Sequence, residues 1–131
     1  MVIDTSAIVA ILFDEPERRE FDRLIAADGV RLLSAVTRVE AAFVIEGRTK
    51  EVGRARLERF LALAGLEIVP ATAEQAELVV ETFRRYGRGR HRAALNIGDC
   101  FAYALAMSTG EPLLFKGDDF AHTDIVPAYR P

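Results

Sequence analysis

Short apolar runs alternate along this chain with longer stretches in which apolar residues recur every three or four positions. The short runs predict buried strands, and the longer stretches predict helices that pack on them. Strands that alternate with helices form a parallel sheet that is covered on both faces. The pattern therefore predicts an α/β fold, with strands at residues 2–3, 30–33, 66–69, 113–115 and 124–126.

The predicted helices have recognisable first and last residues. Ser34 is a favourable N-cap, and Thr72 with Gln75 forms a capping box. Gly65 and Gly110 provide helix stops. We predict helices at about residues 6–13, 16–27, 35–47, 51–64, 72–85 and 99–108, and a short turn or helix at 119–121.

Length and composition restrict the class of protein. The 131 residues fit a single domain, residues 1–131, and a hydrophobic content of 50% is sufficient for a core. One cysteine allows no internal disulfide and fits a reducing compartment. No apolar run approaches the roughly 20 residues of a membrane helix, and the first residues lack the basic segment of a signal peptide. We expect a soluble, cytoplasmic protein with no membrane association.

Five carboxylates occupy positions where an isolated negative charge is hard to explain. Asp4 ends the first strand, Glu40 shares a helix stripe with apolar residues, Asp99 opens a helix, and Asp118 and Asp119 follow the fourth strand. Because the carboxyl ends of parallel strands meet at one edge of a sheet, we expect these groups to converge. Carboxylates that are crowded away from water repel each other and need a cation.

The ligand chemistry favours one kind of cation. The set offers only oxygen donors, and His91 and His122 are too far apart in sequence to suggest a zinc site with Cys100. Oxygen-only ligation is typical of Mg²⁺ or Mn²⁺. We therefore predict a site for Mg²⁺ or Mn²⁺.

Each carboxylate also has an ordinary structural explanation. Asp4 and Asp99 are favourable N-caps, Glu40 could pair with an arginine, and the two adjacent aspartates could lie in a surface loop. A cap needs only one carboxylate oxygen, so capping is compatible with metal binding. The joint placement of the acids at one sheet edge favours the functional interpretation.

Polar neighbours of these acids suggest further roles. Thr5 and Ser6 could bond to a metal-bound water or to a phosphate, and no nucleophile elbow supports a catalytic serine. Asn96 could orient the substrate or cap the helix.

Residues 84–92 form a basic segment with five arginines and no acid. It leads directly into Asn96 and Asp99, so we expect it to border the acidic site. A positive rim beside a metal-binding pocket favours a polyanionic substrate, and Arg88, Arg90 and Arg92 are the candidate contacts with it.

Four segments together resemble a known family. They are residues 3–7 (Ile-Asp-Thr-Ser-Ala), Glu40, residues 98–100 (Gly-Asp-Cys) and residues 113–120 (Leu-Leu-Phe-Lys-Gly-Asp-Asp-Phe). In these segments the chain resembles the PIN-domain ribonucleases, and within them the VapC-type toxins of bacterial toxin–antitoxin systems. The resemblance covers nearly the whole chain.

The resemblance implies a PIN-like three-layer sandwich, a central parallel sheet flanked by helices, with Mg²⁺- or Mn²⁺-dependent endoribonuclease activity. Asp4, Glu40 and Asp99 match three acids that hold the metal, and Asp119 matches the fourth, with Asp118 as a possible helper. Family members act on RNA, form homodimers and are silenced by a cognate antitoxin protein. The apolar first helix, residues 7–13, is a candidate dimer surface.

Three alternatives remain open at this point. A receiver-type phosphoacceptor signalling domain also uses aspartates at strand ends, with Lys116 as its strand-end lysine. A binding module without catalysis would pair its acids with its own arginines. A PIN nuclease in RNA processing would share the site of a toxin and differ in its target.

Overall fold

The computed structural model describes residues 1–131, and its centre is a parallel sheet of four short strands. The strands are β1 (Val2–Ile3), β2 (Leu32–Ser34), β3 (Glu67–Val69) and β4 (Leu113–Leu114), in the spatial order β3-β2-β1-β4. Val2 lies opposite Leu32 on one side and Leu113 on the other. The predicted parallel sheet is thus confirmed, and β1 is one of its two central strands.

Five helices connect the strands, and one short 3-10 helix follows β4. They are α1 (Thr5–Leu12), α2 (Arg18–Ala27), α3 (Ala35–Ala64), α4 (Ala73–Tyr86), α5 (Ile97–Thr109) and the 3-10 helix Asp119–His122. Lys50 has φ 56° and ψ −133°, so it interrupts α3 between the two helices predicted at 35–47 and 51–64.

Both faces of the sheet are covered by helices. Val2 and Leu113 pack in one apolar cluster with residues of α4 and α5. Their neighbours Ile3 and Leu114 point to the opposite face, where they join residues of α1, α2 and α3. Successive strand residues point to opposite faces, so even a two-residue strand serves both cores. This arrangement confirms the predicted α/β sandwich.

Two local predictions are wrong. Residues 124–126 form no strand. Leu113 and Pro127 make only an isolated bridge, in which the Leu113 amide donates to Val126 O and Leu113 O accepts from the Ala128 amide. The first helix is not a free dimer surface either, since Ala7, Ile8 and Ala10 are fully buried under α2 and α3.

None of the helices combines the length and the apolar composition that crossing a bilayer requires.

Candidate active site

Carboxylates from four separate elements line one pocket of about 220 Å³ beside the carboxyl end of β1. This acidic pocket is lined by Asp4, Thr5, Ser6, Glu40, Val44, Asn96, Asp99, Lys116, Asp119 and Phe120. The structure therefore brings together the four predicted acids and three of the predicted polar helpers. Asp118 does not line this pocket, although it is adjacent to Asp119 in sequence.

Asp4 is buried, with 3% of its surface exposed, and its two oxygens differ in their contacts. Oδ2 accepts hydrogen bonds from the Ser6 amide at 2.9 Å and from the Ser6 hydroxyl at 2.6 Å. Oδ1 is buried and has no hydrogen-bond partner. Asp4 is thus the N-cap of α1, as one interpretation predicted, and it also keeps one oxygen free for a ligand.

The Ser6 hydroxyl links two strands of the sheet at the pocket. It accepts a hydrogen bond from the Lys116 amide at 3.0 Å and donates to Asp4 Oδ2. Ser6 therefore fixes the orientation of Asp4 and is already engaged within the protein.

Glu40 is half-buried and reaches the pocket beside α5. Its Oε1 accepts a hydrogen bond from the Thr5 hydroxyl. Its Oε2 lies against Gly98, where an added Cβ atom would be only 2.0 Å from that oxygen. Gly98 therefore provides the space that the Glu40 carboxylate occupies.

The helix face predicted for Glu40 is wrong by about one position. Thr37, Ala41 and Ile45 form the buried stripe, whereas 77% of Phe43 is exposed. Small residues face the core because α3 packs closely on α1. Glu40 consequently lies at the edge of the buried stripe, where it faces the acidic pocket.

Asp99 is buried in the first turn of α5, but it is not the N-cap. Asn96 holds that position: its Oδ1 accepts from the Asp99 amide at 2.9 Å, and Asp99 Oδ2 accepts from the Asn96 amide at 3.0 Å. This capping box uses one oxygen of Asp99. Asn96 therefore acts as a cap, as one of its two predicted roles required.

Burial makes the acidic pocket electrostatically unfavourable. Burial raises the pKa of Asp4 to about 6 and that of Asp99 to about 7, and repulsion from Asp4, Asp119 and Glu40 adds to the increase at Asp99. None of the four acids lies within ion-pair distance of an arginine or lysine. The alternative of acids paired with the chain's own arginines is therefore wrong.

The raised pKa values predict how stability depends on pH. Between about pH 4 and pH 8 the folded chain binds more protons than the unfolded chain, so the free energy of unfolding falls as pH rises. We expect a decrease of about 2–4 kcal/mol in the presence of a chelator, measured by urea unfolding at pH 5 and pH 8. Asp99→Asn should flatten this dependence, and a wild-type stability that is constant or rises over this range would contradict the prediction.

The side chains do not form a complete ligand cage. No group of three or more histidine, cysteine, aspartate or glutamate side chains is arranged to hold one metal ion. A cation in the acidic pocket would therefore depend on one or two carboxylates and on water, which is the usual coordination of Mg²⁺ in proteins.

Lys116 is a cation of the pocket wall that sequence reasoning did not assign to the site. Its ammonium group pairs with Glu15 and lies 2.9 Å from Glu17 Oε2. These contacts raise the pKa of Lys116 and direct its charge away from the four acids. The position of a lysine directly after an apolar strand was the available signal.

The arginines of the basic segment lie outside the acidic pocket. Arg88 lines a neighbouring apolar pocket that shares Asn96 with the acidic pocket. The guanidinium of Arg90 lies 5.1 Å from the centre of the Phe83 ring, and Arg92 is exposed. The basic segment was predicted to border the acidic pocket, but it reaches only a neighbouring pocket. The bridge between Gly87 and Leu95 fixes the course of the segment there.

Comparisons with known proteins agree with this geometry. The PIN domain family model matches residues 1–126. Ribonuclease VapC30 of Mycobacterium tuberculosis is 50% identical over 131 residues, which cover 100% of both chains. These matches exclude the receiver-type alternative.

Solved structures show the same fold. The crystal structure of Mycobacterium tuberculosis VapC20, a Sarcin-Ricin loop cleaving toxin, has a TM-score of 0.79 at 18% identity and covers 99% of this chain and 98% of its own. A chain of VapBC2 from Rickettsia felis, bound to a DNA fragment from their promoter, has a TM-score of 0.75 at 16% identity, with coverages of 96% and 94%. A family model that spans nearly the whole chain, together with a full-length relative of which half the residues are identical, shows that this chain belongs to the PIN-domain family, and within it to the VapC ribonucleases.

Proposed function

We propose that this protein is a metal-dependent endoribonuclease and the toxin of a toxin–antitoxin pair. The observation that carries the proposal is the convergence of Asp4, Glu40, Asp99 and Asp119 in one pocket without any internal cation partner. The 50% identity to a VapC ribonuclease supports RNA as the substrate. A PIN nuclease in RNA processing would have the same pocket. Binding of a cognate antitoxin is expected of the toxin and not of the processing nuclease.

The pocket fits a divalent cation. Asp4 Oδ1 is buried without a partner, and the crowding that raises the pKa of Asp99 is relieved when a positive charge is present. Asp4 and Asp99 would hold Mg²⁺ or Mn²⁺, and Glu40 and Asp119 line the same pocket. When bound, such an ion activates water for phosphodiester hydrolysis and neutralises charge on the phosphate.

The residues of the chain have distinct tasks in this scheme. Ser6 and Thr5 hold the Asp4 and Glu40 carboxylates by hydrogen bonds, so the two acids need little reorganisation during the reaction. Asp119 is exposed, unlike the other three acids, so its carboxylate stays in contact with bulk water. Preorganised acids at one end and solvent contact at the other suit hydrolysis.

Metal removal tests the proposal. We expect EDTA to stop RNA cleavage and Mg²⁺ or Mn²⁺ to restore it, because the crowded carboxylates need the ion. Bound metal should also raise the melting temperature of the wild-type chain, since it binds only the folded state. Asp99→Asn should show a much smaller increase. Full cleavage in excess chelator would refute the metal requirement.

The basic segment is the proposed RNA contact. Arg88, Arg90 and Arg92 are exposed and make no ion pair, so their charges are available to phosphates. We expect the triple change to alanine to weaken RNA binding about 10-fold or more, and to reduce the salt dependence by about 0.7 per lost phosphate contact. Binding titrations at several salt concentrations measure both effects.

A matched control removes the same net charge elsewhere. Arg19, Arg54 and Arg56 are also exposed and make no ion pair. Their replacement by alanine should leave RNA affinity nearly unchanged. Equal losses in the two triple variants would show that the basic segment has no special role.

The proposed homodimer would use an apolar face next to the acidic pocket. Its exposed members are Val39 and Phe43 of α3 and Ile97 at the start of α5. Phe43 and Ile97 are 77% and 72% exposed, which is costly for large apolar groups in water. A second copy of the chain would cover this face. In sedimentation experiments the wild type should be a dimer, and Phe43→Glu should be a monomer.

The proposed antitoxin would bind in a groove between α2 and the second half of α3. Its floor is apolar, with Ile25, Phe60 and Leu63, and four arginines face one acid at its rim. Arg56 and Arg59 in that rim make no ion pair. The groove suits an amphipathic acidic segment of the antitoxin. A variant with both Arg56 and Arg59 changed to glutamate should lose co-purification with the antitoxin.

A further inference from the structure

A second pocket, of about 460 Å³, adjoins the acidic pocket and shares Lys116 and Phe120 with it. Its walls include two pairs of aromatic rings, in which Phe115 and Tyr129 are half-buried and open to the pocket, whereas Phe21 and Phe120 are buried behind them. The ring centres of Phe115 and Phe120 are 5.0 Å apart, and those of Phe21 and Tyr129 are 5.2 Å apart. We call this the aromatic pocket.

Asp118 gives the aromatic pocket a free hydrogen-bond acceptor. Its carboxylate is exposed at the pocket wall and makes no hydrogen bond or ion pair within the chain. Asp119, the next residue, lines the acidic pocket instead. Two adjacent aspartates thus belong to different pockets, at the start of the 3-10 helix.

The charges of the aromatic pocket decide what kind of group it can accept. Asp118 and Glu17 both line it and would repel a phosphate. Two cations also line it, Lys116, which is held by Glu15 and Glu17, and the exposed Arg130, so the lining has no excess positive charge for a phosphate. A neutral, flat group with N–H donors meets no such repulsion. Unpaired RNA bases are such groups, and proteins bind them by stacking on aromatic side chains.

We propose that the aromatic pocket binds an unpaired guanine next to the cleaved phosphate, with Asp118 accepting hydrogen bonds from its N–H groups. An ionised carboxylate only accepts hydrogen bonds, and guanine presents neighbouring N1–H and N2–H donors on its Watson–Crick edge. Adenine has no donor at N1 and presents only its N6 amino group on this edge, so it can satisfy one carboxylate oxygen where guanine satisfies both. This inference rests on the proposed ribonuclease function and assigns Asp118 to base specificity.

Cleavage of an RNA pool with random sequence tests the inference. Sequencing of the new ends should show guanine enriched about 10-fold or more over adenine at one position flanking the cut. For Asp118→Asn, the cleavage that remains should show no such enrichment. Glu77→Gln, which removes an exposed acid of α4 outside both pockets, should retain the wild-type profile.

A substrate change provides a second readout that does not depend on any variant. Inosine lacks the N2 amino group of guanine, so its use at the preferred position should lower kcat/KM of the wild type several-fold. Cleavage with the same base profile in wild type and Asp118→Asn would overturn this inference alone. If the wild type cleaves no RNA in the pool, the proposed function and this inference are both refuted. Unimpaired cleavage by Asp119→Asn would contradict only the assignment of Asp119 to the acidic pocket's function.

Discussion

Asp99→Asn is expected to reduce RNA cleavage by about 10³-fold or more at saturating Mg²⁺. The change removes a negative charge from the centre of the acidic pocket, where Asp4, Glu40 and Asp119 all act on Asp99. Loss of one preorganised charged group in a buried site has effects of this size. Single-turnover cleavage of a defined RNA measures the loss of the chemical step.

The same variant should remain folded and become more stable without metal. An asparagine oxygen can still accept from the Asn96 amide, so the capping box of α5 is preserved. The buried charge that burial disfavours is gone, and urea unfolding at pH 8 with chelator should show an increase of about 1–2 kcal/mol. The double variant of Asp4 and Asp99 to asparagine should be inactive as well, and wild-type cleavage by this clean, folded protein would refute the assignment of the site.

Gly98→Ala should disable the site without unfolding the protein. The new Cβ would lie 2.0 Å from Glu40 Oε2, so the flexible end of the Glu40 side chain must move. A shift of about 1 Å in a positioned group can cost about 10²-fold in rate, and we expect a loss of that order. Alanine favours the helix over glycine by about 1 kcal/mol. This gain offsets the cost of displacing Glu40, so the melting temperature should change little.

Two comparisons isolate this effect. Gly47→Ala places a methyl group in open space on α3, so it should preserve cleavage. In a Glu40→Ala background, Gly98→Ala should have little further effect, because the carboxylate that it displaces is absent. An equal loss from Gly98→Ala with and without Glu40 would assign another role to Gly98.

Sequence reasoning predicted best where a residue's position follows from its neighbours. Asp4 directly follows an apolar strand. In a parallel sheet this position places Asp4 at the edge where the carboxyl ends of the strands meet. Capping of α5 was one of the two predicted roles of Asn96 and is confirmed, whereas the predicted N-cap role of Asp99 is wrong, because Asp99 lies three residues inside the cap. These local rules needed no tertiary information.

Other features depended on packing that the sequence does not show. The apolar spacing around Glu40 favoured the wrong helix face, because the small residues Thr37 and Ala41 pack against α1. The choice between Asp118 and Asp119 required the course of the backbone into the 3-10 helix. Asp119 does line the acidic pocket, and the roles of both aspartates stay predictions.

The hydrogen bond between the Ser6 hydroxyl and the Lys116 amide joins residues that are 110 positions apart. A ribosome that has translated only the first hundred residues has made Asp4, Glu40 and Asp99, yet nothing orients Asp4 from the last strand. The Asp4 amide also donates to Leu114 O, so β1 gains its β4 partner only when residues 113–116 have been made. The acidic pocket therefore takes its final form late in synthesis.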